Sequence, residues 1–105
     1  MQLQHLSLCV PDVPAAHAFF ERYFAFHCIH SQAEGSRVVL QDAGAFTLVL
    51  SPAASAFPPR YPGDFHAGFM AADVAVVGAL RARMCADGVG LATAPLSFGF
   101  GTAFY

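Results

Sequence analysis

The sequence predicts an α+β fold of two βαβββ modules, the second incomplete because its last strand is missing, with curved mixed sheets around a cavity. Two observations predict it. The stretch "HLSLCVPDV" at residues 5–13 is echoed by "HAGFMAADV" at residues 66–74, and in both a histidine precedes Asp-Val by seven residues. In both, a strand, a helix cap and a helix also recur at the same offset. We therefore interpret the chain as a duplicated structural unit.

The first module is predicted over residues 1–51. Alternation of apolar and polar residues over 2–10 favours a strand, and Asp12 with Pro14 marks the start of a helix that ends near Phe24. Glycine turns then separate three short runs rich in branched and aromatic residues, which are typical of strands joined by hairpins. These runs cover residues 26–31, 36–42 and 45–51.

A proline-rich linker is predicted over residues 52–63, which contain four prolines and show no periodicity. The second module, over residues 64–105, restarts the pattern with a strand at 65–71 and a helix from Asp73 through Asp87. Two more strands are expected at residues 89–94 and 97–105. This order is βαββ, one strand short of the first module.

The composition narrows the class of protein. Of the 105 residues, 56% are hydrophobic and only 11% are charged, so part of the apolar material is expected to line a cavity or a partner interface. A net charge of -2 without a basic run argues against nucleic acid as a partner. No run approaches the ~20 apolar residues of a membrane span, and the N-terminus lacks the features of a signal peptide. We expect a cytoplasmic protein.

The cysteines support the same compartment. Cys9, Cys28 and Cys85 are odd in number and widely spaced, and they include no CxxC pair. This pattern favours free thiols in a reducing compartment over a disulfide framework or a zinc ribbon. We expect all three to be buried as small apolar residues.

Strand alternation places the two repeated histidines on one side of their strands. Leu6, Leu8 and Val10 suit a surface covered by the following helix, so His5 points to the opposite, concave side, and the same argument applies to His66. Two modules related by a pseudo-twofold would bring the two histidines towards each other. The predicted lining of the cavity consists of Ser7, Cys9, Thr47, Val49, Met70, Phe98 and Phe100.

Two interpretations of these histidines stay open. His5 and His66 either bind a cavity ligand in a polar pocket or are two ligands of a divalent metal such as Zn, Ni, Fe or Mn. A metal site needs a further donor, and Cys9 lies about 13 Å from His5 along the strand. Phe98 and Phe100 likewise either pack in the core or offer a stacking surface to a flat ligand.

The other histidines are predicted to lie on the surface. His27 and His30 are three residues apart, which places them on opposite faces of a strand, and His17 is expected to be solvated on its helix. The sequence contains no nucleophile elbow, P-loop or GxGxxG motif.

Three stretches carry a resemblance to a known family. They are "HLSLCVPDVPAAHAFFERYFAF", "FHAGFMAADVAVVGALRARMCADGV" and "GTAFY". Together they resemble the module openings and the segment before the final hairpin of the vicinal oxygen chelate superfamily. That superfamily contains glyoxalase I, extradiol dioxygenases, fosfomycin-resistance enzymes and bleomycin-resistance proteins. The resemblance covers nearly the whole chain.

The resemblance has implications for the site. His5 and His66 stand at the first-strand positions that supply metal ligands in the enzymes of the superfamily. Val49 stands where glyoxalase I has a glutamate, Ala25 replaces the glycine usual after the first helix, and the chain stops at Tyr105 before the strand that carries the last carboxylate ligand. If the natural gene continues, a His-His-Glu triad of the dioxygenase kind is implied. If it ends here, the chain is more similar to the metal-free binders of the family.

We therefore expect a homodimer that binds an apolar or aromatic small molecule in an inter-module cavity and sequesters a drug or metabolite. A missing strand would leave an unpaired sheet edge that a dimer partner could cover. The alternative is a divalent-metal-dependent lyase or an extradiol-type dioxygenase that uses His5 and His66.

Overall fold

The computed structural model describes residues 1–54, 60–99 and 101–104. The chain divides into two compact units, Met1–Asp64 and Phe65–Tyr105. Among the residues described, no helix has the length and apolar character needed to span a bilayer.

The first unit begins with a strand and a helix at the places that the sequence predicts. Strand β1 spans His5–Val10 and helix α1 spans Val13–Phe24. Asp12 caps the helix, since the backbone N–H of Ala15 donates to its Oδ1 at 2.9 Å. The helix ends at Ala25, which has a left-handed φ of 54°.

Three antiparallel-connected strands follow: β2 at His27–Ser31, β3 at Val38–Gln41 and β4 at Thr47–Pro52. A short 3-10 turn at Ala33–Gly35 joins β2 to β3, and both Glu34 and Gly35 in it have positive φ. In the next turn, Asp42 Oδ1 accepts a hydrogen bond from the N–H of Phe46 at 2.8 Å. The predicted glycine turns therefore join these strands.

The four strands form one mixed sheet in the order β1-β4-β3-β2, in which β1 runs parallel to β4 and the other pairs are antiparallel. The core lies on the face that α1 covers. Leu40, Leu48 and Leu50 are its most deeply buried side chains, and they alternate with less buried neighbours along β3 and β4. The other members of the core cluster are Val13, Phe26 and Val38, with Leu6, Leu8, Val10, Ala16, Phe20, Phe24 and Phe46 packed against it.

The second unit contains helix α2 at Val74–Ala86 and a hairpin of β5, Leu96–Phe98, with β6, Gly101–Ala103. Asp73 caps α2 as predicted, since its Oδ1 accepts from the N–H of Val76 at 3.0 Å. Gly88 has a left-handed φ of 78°, and Met84 is buried. The α+β class predicted from the sequence is confirmed.

The strand predicted at residues 65–71 is wrong, because these residues form neither helix nor strand in the structure. In the first unit, β1 is held by hydrogen bonds to the last strand of its own unit, β4. The described part of the second unit contains no strand paired in that way with residues 65–71. Alternation without a ladder partner does not make a strand.

The two later strand predictions need correction as well. Residues 89–94 form no strand, because the N–H of Val89 donates to the carbonyl of Met84 at 2.9 Å and so closes the end of α2. Residues 97–105 are not one strand either. Phe98 pairs with Gly101, so a tight turn that includes Gly99 divides this stretch into a hairpin.

Candidate functional site

The two faces of the four-stranded sheet differ in burial. Along β1, Leu6 and Leu8 are partly buried towards the core, whereas His5 and Ser7 are exposed on the opposite side. We call this second side the open face. The alternation predicted for β1 is confirmed, because the helix covers only the leucine side of the strand.

The strand register fixes which side chains share the open face. His5 lies beside Thr47, Thr47 beside Gln41, and Gln41 beside His27, so one row crosses the whole sheet. Paired residues of neighbouring strands point to the same face. The second row consists of Ser7, Val49, Val39 and His30, and the third contains Cys9, Ser51 and Arg37.

The second row depends on a β-bulge in β2, and it corrects the prediction for two histidines. His27 pairs with Gln41 and His30 pairs with Val39, with an irregularity between Cys28 and His30. The extra residue shifts the alternation by one, so His27 and His30 lie on the same face, not on opposite ones. Both are exposed on the surface, as the sequence predicts.

The centre and the rim of the open face differ in polarity. Val39 and Val49 are neighbours in the middle row and are half-buried. Around them lie polar side chains, namely His5, Ser7, Thr47, Gln41, His27 and His30. The third row adds a positive charge, the guanidinium of Arg37. It lies beside Ser51, since Arg37 Nε donates to Ser51 Oγ at 3.1 Å.

At the outer edge of β1, a tyrosine side chain forms hydrogen bonds with the backbone of Cys9. The Tyr61 hydroxyl accepts from the backbone N–H of Cys9 at 2.7 Å and donates to the carbonyl of Cys9 at 3.0 Å. One side chain thus satisfies both backbone groups that point away from β4 at this residue. Within the predicted linker, residues 55–59 lie outside the described residues.

The donors on the open face do not fit a three-ligand metal centre. His5 and His27 are separated by two strands, which corresponds to about 14 Å across the sheet. Among the described residues that the strand register places on the open face, none is a carboxylate. Within residues 1–54, 60–99 and 101–104, no group of three His, Cys, Asp or Glu side chains is placed to hold a metal ion. Val49, where the resemblance implies a lost ligand, lies on the open face beside Ser7.

The remaining predicted site residues belong to the second unit. His66 and Met70 are exposed in the segment without helix or strand. That they share a site with His5 stays a prediction. Phe100 and the side chain of Phe98 lie outside the part of the chain that the structure describes.

The predicted burial of the three thiols is wrong. Cys9, Cys28 and Cys85 are free, as expected, but all three are exposed. Cys9 lies on the open face, and Cys28 lies on an edge strand that is exposed along its whole length. The strand pattern alone does not show that a strand is at the edge of its sheet, and edge positions are less covered.

Several open-face residues are absent from the sequence-based site. Alternation in "VVLQ" would have placed Val39 and Gln41 on the face opposite Val38 and Leu40, so this signal was available. The grouping of His27 with His30 was not available, because no motif in "HCIHS" marks the bulge.

A strand, a helix and a three-stranded meander, closed by parallel pairing of the first and last strands, define the class of protein as a βαβββ module with one open sheet face. The family model described as "Glyoxalase/Bleomycin resistance protein/Dioxygenase superfamily" matches residues 2–105. The chain belongs to this superfamily, and the resemblance drawn from the sequence is confirmed.

Solved structures agree with this assignment. A "possible glyoxalase" from Bacillus cereus is 31% identical, with a TM-score of 0.79 over 92% of this chain and 81% of that chain. Lactoylglutathione lyase from Agrobacterium tumefaciens is 22% identical, with a TM-score of 0.71 over 99% of this chain and 83% of that chain.

A mutant of the fosfomycin resistance protein FosX from Listeria monocytogenes is 19% identical, with a TM-score of 0.77 over 99% of this chain and 82% of that chain. That structure is a complex with Mn(II) and 1S,2S-dihydroxypropylphosphonic acid. At this identity the likeness shows the fold. A comparison with curated proteins finds no match.

Proposed function

We propose that the chain binds an apolar or aromatic small molecule on the open face and so sequesters a drug or metabolite. The observation that carries the proposal is the pattern of this face, in which Val39 and Val49 form an apolar centre within a rim of hydrogen-bonding side chains. Small-molecule sites combine an apolar wall with a few placed polar groups. Membership of a superfamily named in part for bleomycin resistance supports the same class of function.

The rim indicates the chemistry of the ligand. Among the described residues it carries imidazole, hydroxyl and amide groups, which donate and accept hydrogen bonds, together with the guanidinium of Arg37 and no carboxylate. A neutral or anionic ligand with a flat apolar body and polar groups at its edge matches this distribution. A cationic ligand would find no opposite charge on the open face.

The test is a titration with a panel of planar aromatic compounds and drugs, followed by amide NMR of the labelled protein. Saturable shifts are expected in β1, β3 and β4. Val49→Arg places a long charged side chain over the apolar centre and is expected to weaken binding by about tenfold or more. The matched control is Val74→Arg, at a valine that is 65% exposed on α2.

Absence of saturable binding across the panel would contradict the proposal, and so would an equal loss in both arginine variants. Because Val49 is half-buried, the fold of Val49→Arg is checked from its amide spectrum. Ser7→Ala and Thr47→Ala serve as milder variants on the same face, where each removes one hydroxyl beside the apolar centre.

The second candidate is a divalent-metal-dependent lyase or extradiol-type dioxygenase with His5 and His66 as ligands. It is favoured by the exposed position of His5 on the open face and by the Mn(II) in the FosX structure of the same fold. Metal bound in stoichiometric amount after purification, and lost from both His5→Ala and His66→Ala, would support it. The control is His17→Ala, on α1, where the imidazole Nε2 lies 2.9 Å from Glu21 Oε1.

The homodimer and the cytoplasmic location stay predictions. Sedimentation velocity at several protein concentrations tests the first, and a monomer throughout would contradict it. Fractionation of the source cells tests the second.

A further inference from the structure

We propose that His27 and His30 form a two-imidazole binding site for a divalent transition-metal ion on the open face at the edge of the sheet. This site is separate from the pairing of His5 with His66 and does not depend on the small-molecule function. Its basis is the juxtaposition of the two histidines that the β-bulge creates.

The register determines how far apart the two residues are. In a regular strand, residues three apart point to opposite faces and cannot share an ion. Here the partners of His27 and His30 on β3 are Gln41 and Val39, which are two residues apart on one face. Two steps along a strand separate Cα atoms by about 7 Å. The histidines therefore stand at the spacing of two neighbours on one face of a strand.

That spacing allows both imidazoles to reach one ion. A divalent ion takes imidazole nitrogens at about 2.0–2.1 Å, so the two nitrogens need to approach to about 3 Å of each other. Side chains that project in parallel from positions about 7 Å apart can converge to this distance by rotation about χ1 and χ2. His5 cannot join them, because Thr47 and Gln41 lie between it and His27.

The surroundings leave the site accessible. Every residue of β2 is exposed, and β2 is an edge strand, so water can complete the coordination of an ion held there. Cys28 pairs with the core-facing Leu40 and thus belongs to the other face, and its Sγ donates to the carbonyl of His30 at 3.3 Å. This hydrogen bond crosses the bulge. The thiol of Cys28 therefore contacts the backbone and lies on the face opposite the proposed metal site.

Nickel is the probe of choice. Imidazole suits Zn, Cu, Fe and Ni, whereas thiolates select Zn and Cu(I). Since all three cysteines are exposed, Ni²⁺ in the presence of a non-chelating phosphine reductant separates imidazole binding from thiolate binding. The titration uses the full chain without a histidine tag and follows the heat of binding.

Wild-type protein is expected to bind one Ni²⁺ that depends on both histidines. Because the second imidazole binds within one molecule, His27→Ala and His30→Ala are each expected to weaken binding by about tenfold or more, and the double variant by little further. His17→Ala, on α1 and outside the open face, is expected to keep the wild-type affinity.

A variant of identical composition tests the bulge itself. Exchanging the two residues, as His30→Ser together with Ser31→His, moves the imidazole to the position opposite Val38, on the core side of the strand. The affinity is expected to fall as far as in His30→Ala, with the fold monitored by circular dichroism. Wild-type affinity in this exchange variant, unchanged affinity in both alanine variants, or an equal loss in His17→Ala would each overturn the proposal.

Discussion

At the scale of single residues, three leucines hold the first unit together. Leu40, Leu48 and Leu50 have relative exposures of 0%, 2% and 0% and lie side by side on β3 and β4 beneath α1. Each is surrounded by the core cluster, so truncation leaves a cavity that the sheet cannot close without breaking its ladder.

Leu50→Ala is therefore expected to lower the free energy of unfolding by about 2–5 kcal/mol. The measurement is urea unfolding followed by circular dichroism, with the slope of the transition compared between variants. Leu3→Ala is the control, since Leu3 is 78% exposed and exposed positions change stability by about 0.5 kcal/mol or less. Equal losses in the two variants would show that Leu50 lies outside the core.

Residue-level predictions from the sequence succeed where the physical cause is local. The faces of His5 and Ser7 follow from alternation within one strand, and both are confirmed. The faces of His27 and His30 depend on how β2 pairs with β3, which alternation within β2 cannot contain. The same limit explains the thiols, because exposure of Cys28 depends on the place of its strand in the sheet.

At the scale of elements, the N-terminal caps of both helices were predictable, and the C-terminal cap of α1 is strained. Asp12 and Asp73 each accept a hydrogen bond from a backbone N–H three residues later, as their sequence positions indicate. At the other end of α1, Ala25 adopts φ 54° and ψ 29°. This conformation costs a residue with a Cβ about 1–2 kcal/mol, and glycine avoids that cost.

We therefore expect Ala25→Gly to raise the free energy of unfolding by about 0.5–1 kcal/mol, the remainder being offset by the greater freedom of glycine in the unfolded chain. The matched control is Ala18→Gly in the interior of α1, which is expected to destabilise by about 1 kcal/mol. Both are measured by urea unfolding. A loss of stability in Ala25→Gly would contradict the strain at this cap.

Strands were less predictable than helices, and residues 65–71 show why. A capped helix such as α2 forms its hydrogen bonds within its own segment, so a local pattern suffices to place it. A strand takes its hydrogen bonds from another segment, and the pattern of residues 65–71 does not specify one. For the same reason, strand pairing fixes the positions of the candidate site residues in the first unit, whereas His66 and Met70 lie on no strand.

At the scale of the whole molecule, the two units differ in how much of their apolar surface is buried. Among the described residues, the buried hydrophobic side chains all belong to the first unit except Met84. In the second unit, Phe65, Phe69, Met70, Val74 and Val76 are large apolar residues on the surface. The overall hydrophobic content of 56% predicts apolar surface in excess of the core, but only the structure shows which segment carries it.

The parallel pairing of β1 with β4 has a consequence for the order in which the chain acquires its structure. The segment between His5 and its partner Thr47 contains α1, β2 and β3, whereas β2, β3 and β4 are joined by short turns. Closing the longer loop costs more chain entropy and is slower. We expect the meander of β2, β3 and β4 to be formed in the folding transition state and β1 to join it afterwards.

Stopped-flow refolding and unfolding of two core variants measure this order. Val38→Ala in β3 is expected to act mainly by slowing refolding, and Leu8→Ala in β1 mainly by accelerating unfolding. The reverse assignment would mean that β1 docks first. If the expected order holds, a folding chain passes through a stage in which β4 has not yet paired with β1. At that stage the unpaired edge of β4 is available to a strand of another molecule, so intermolecular association is most favoured then.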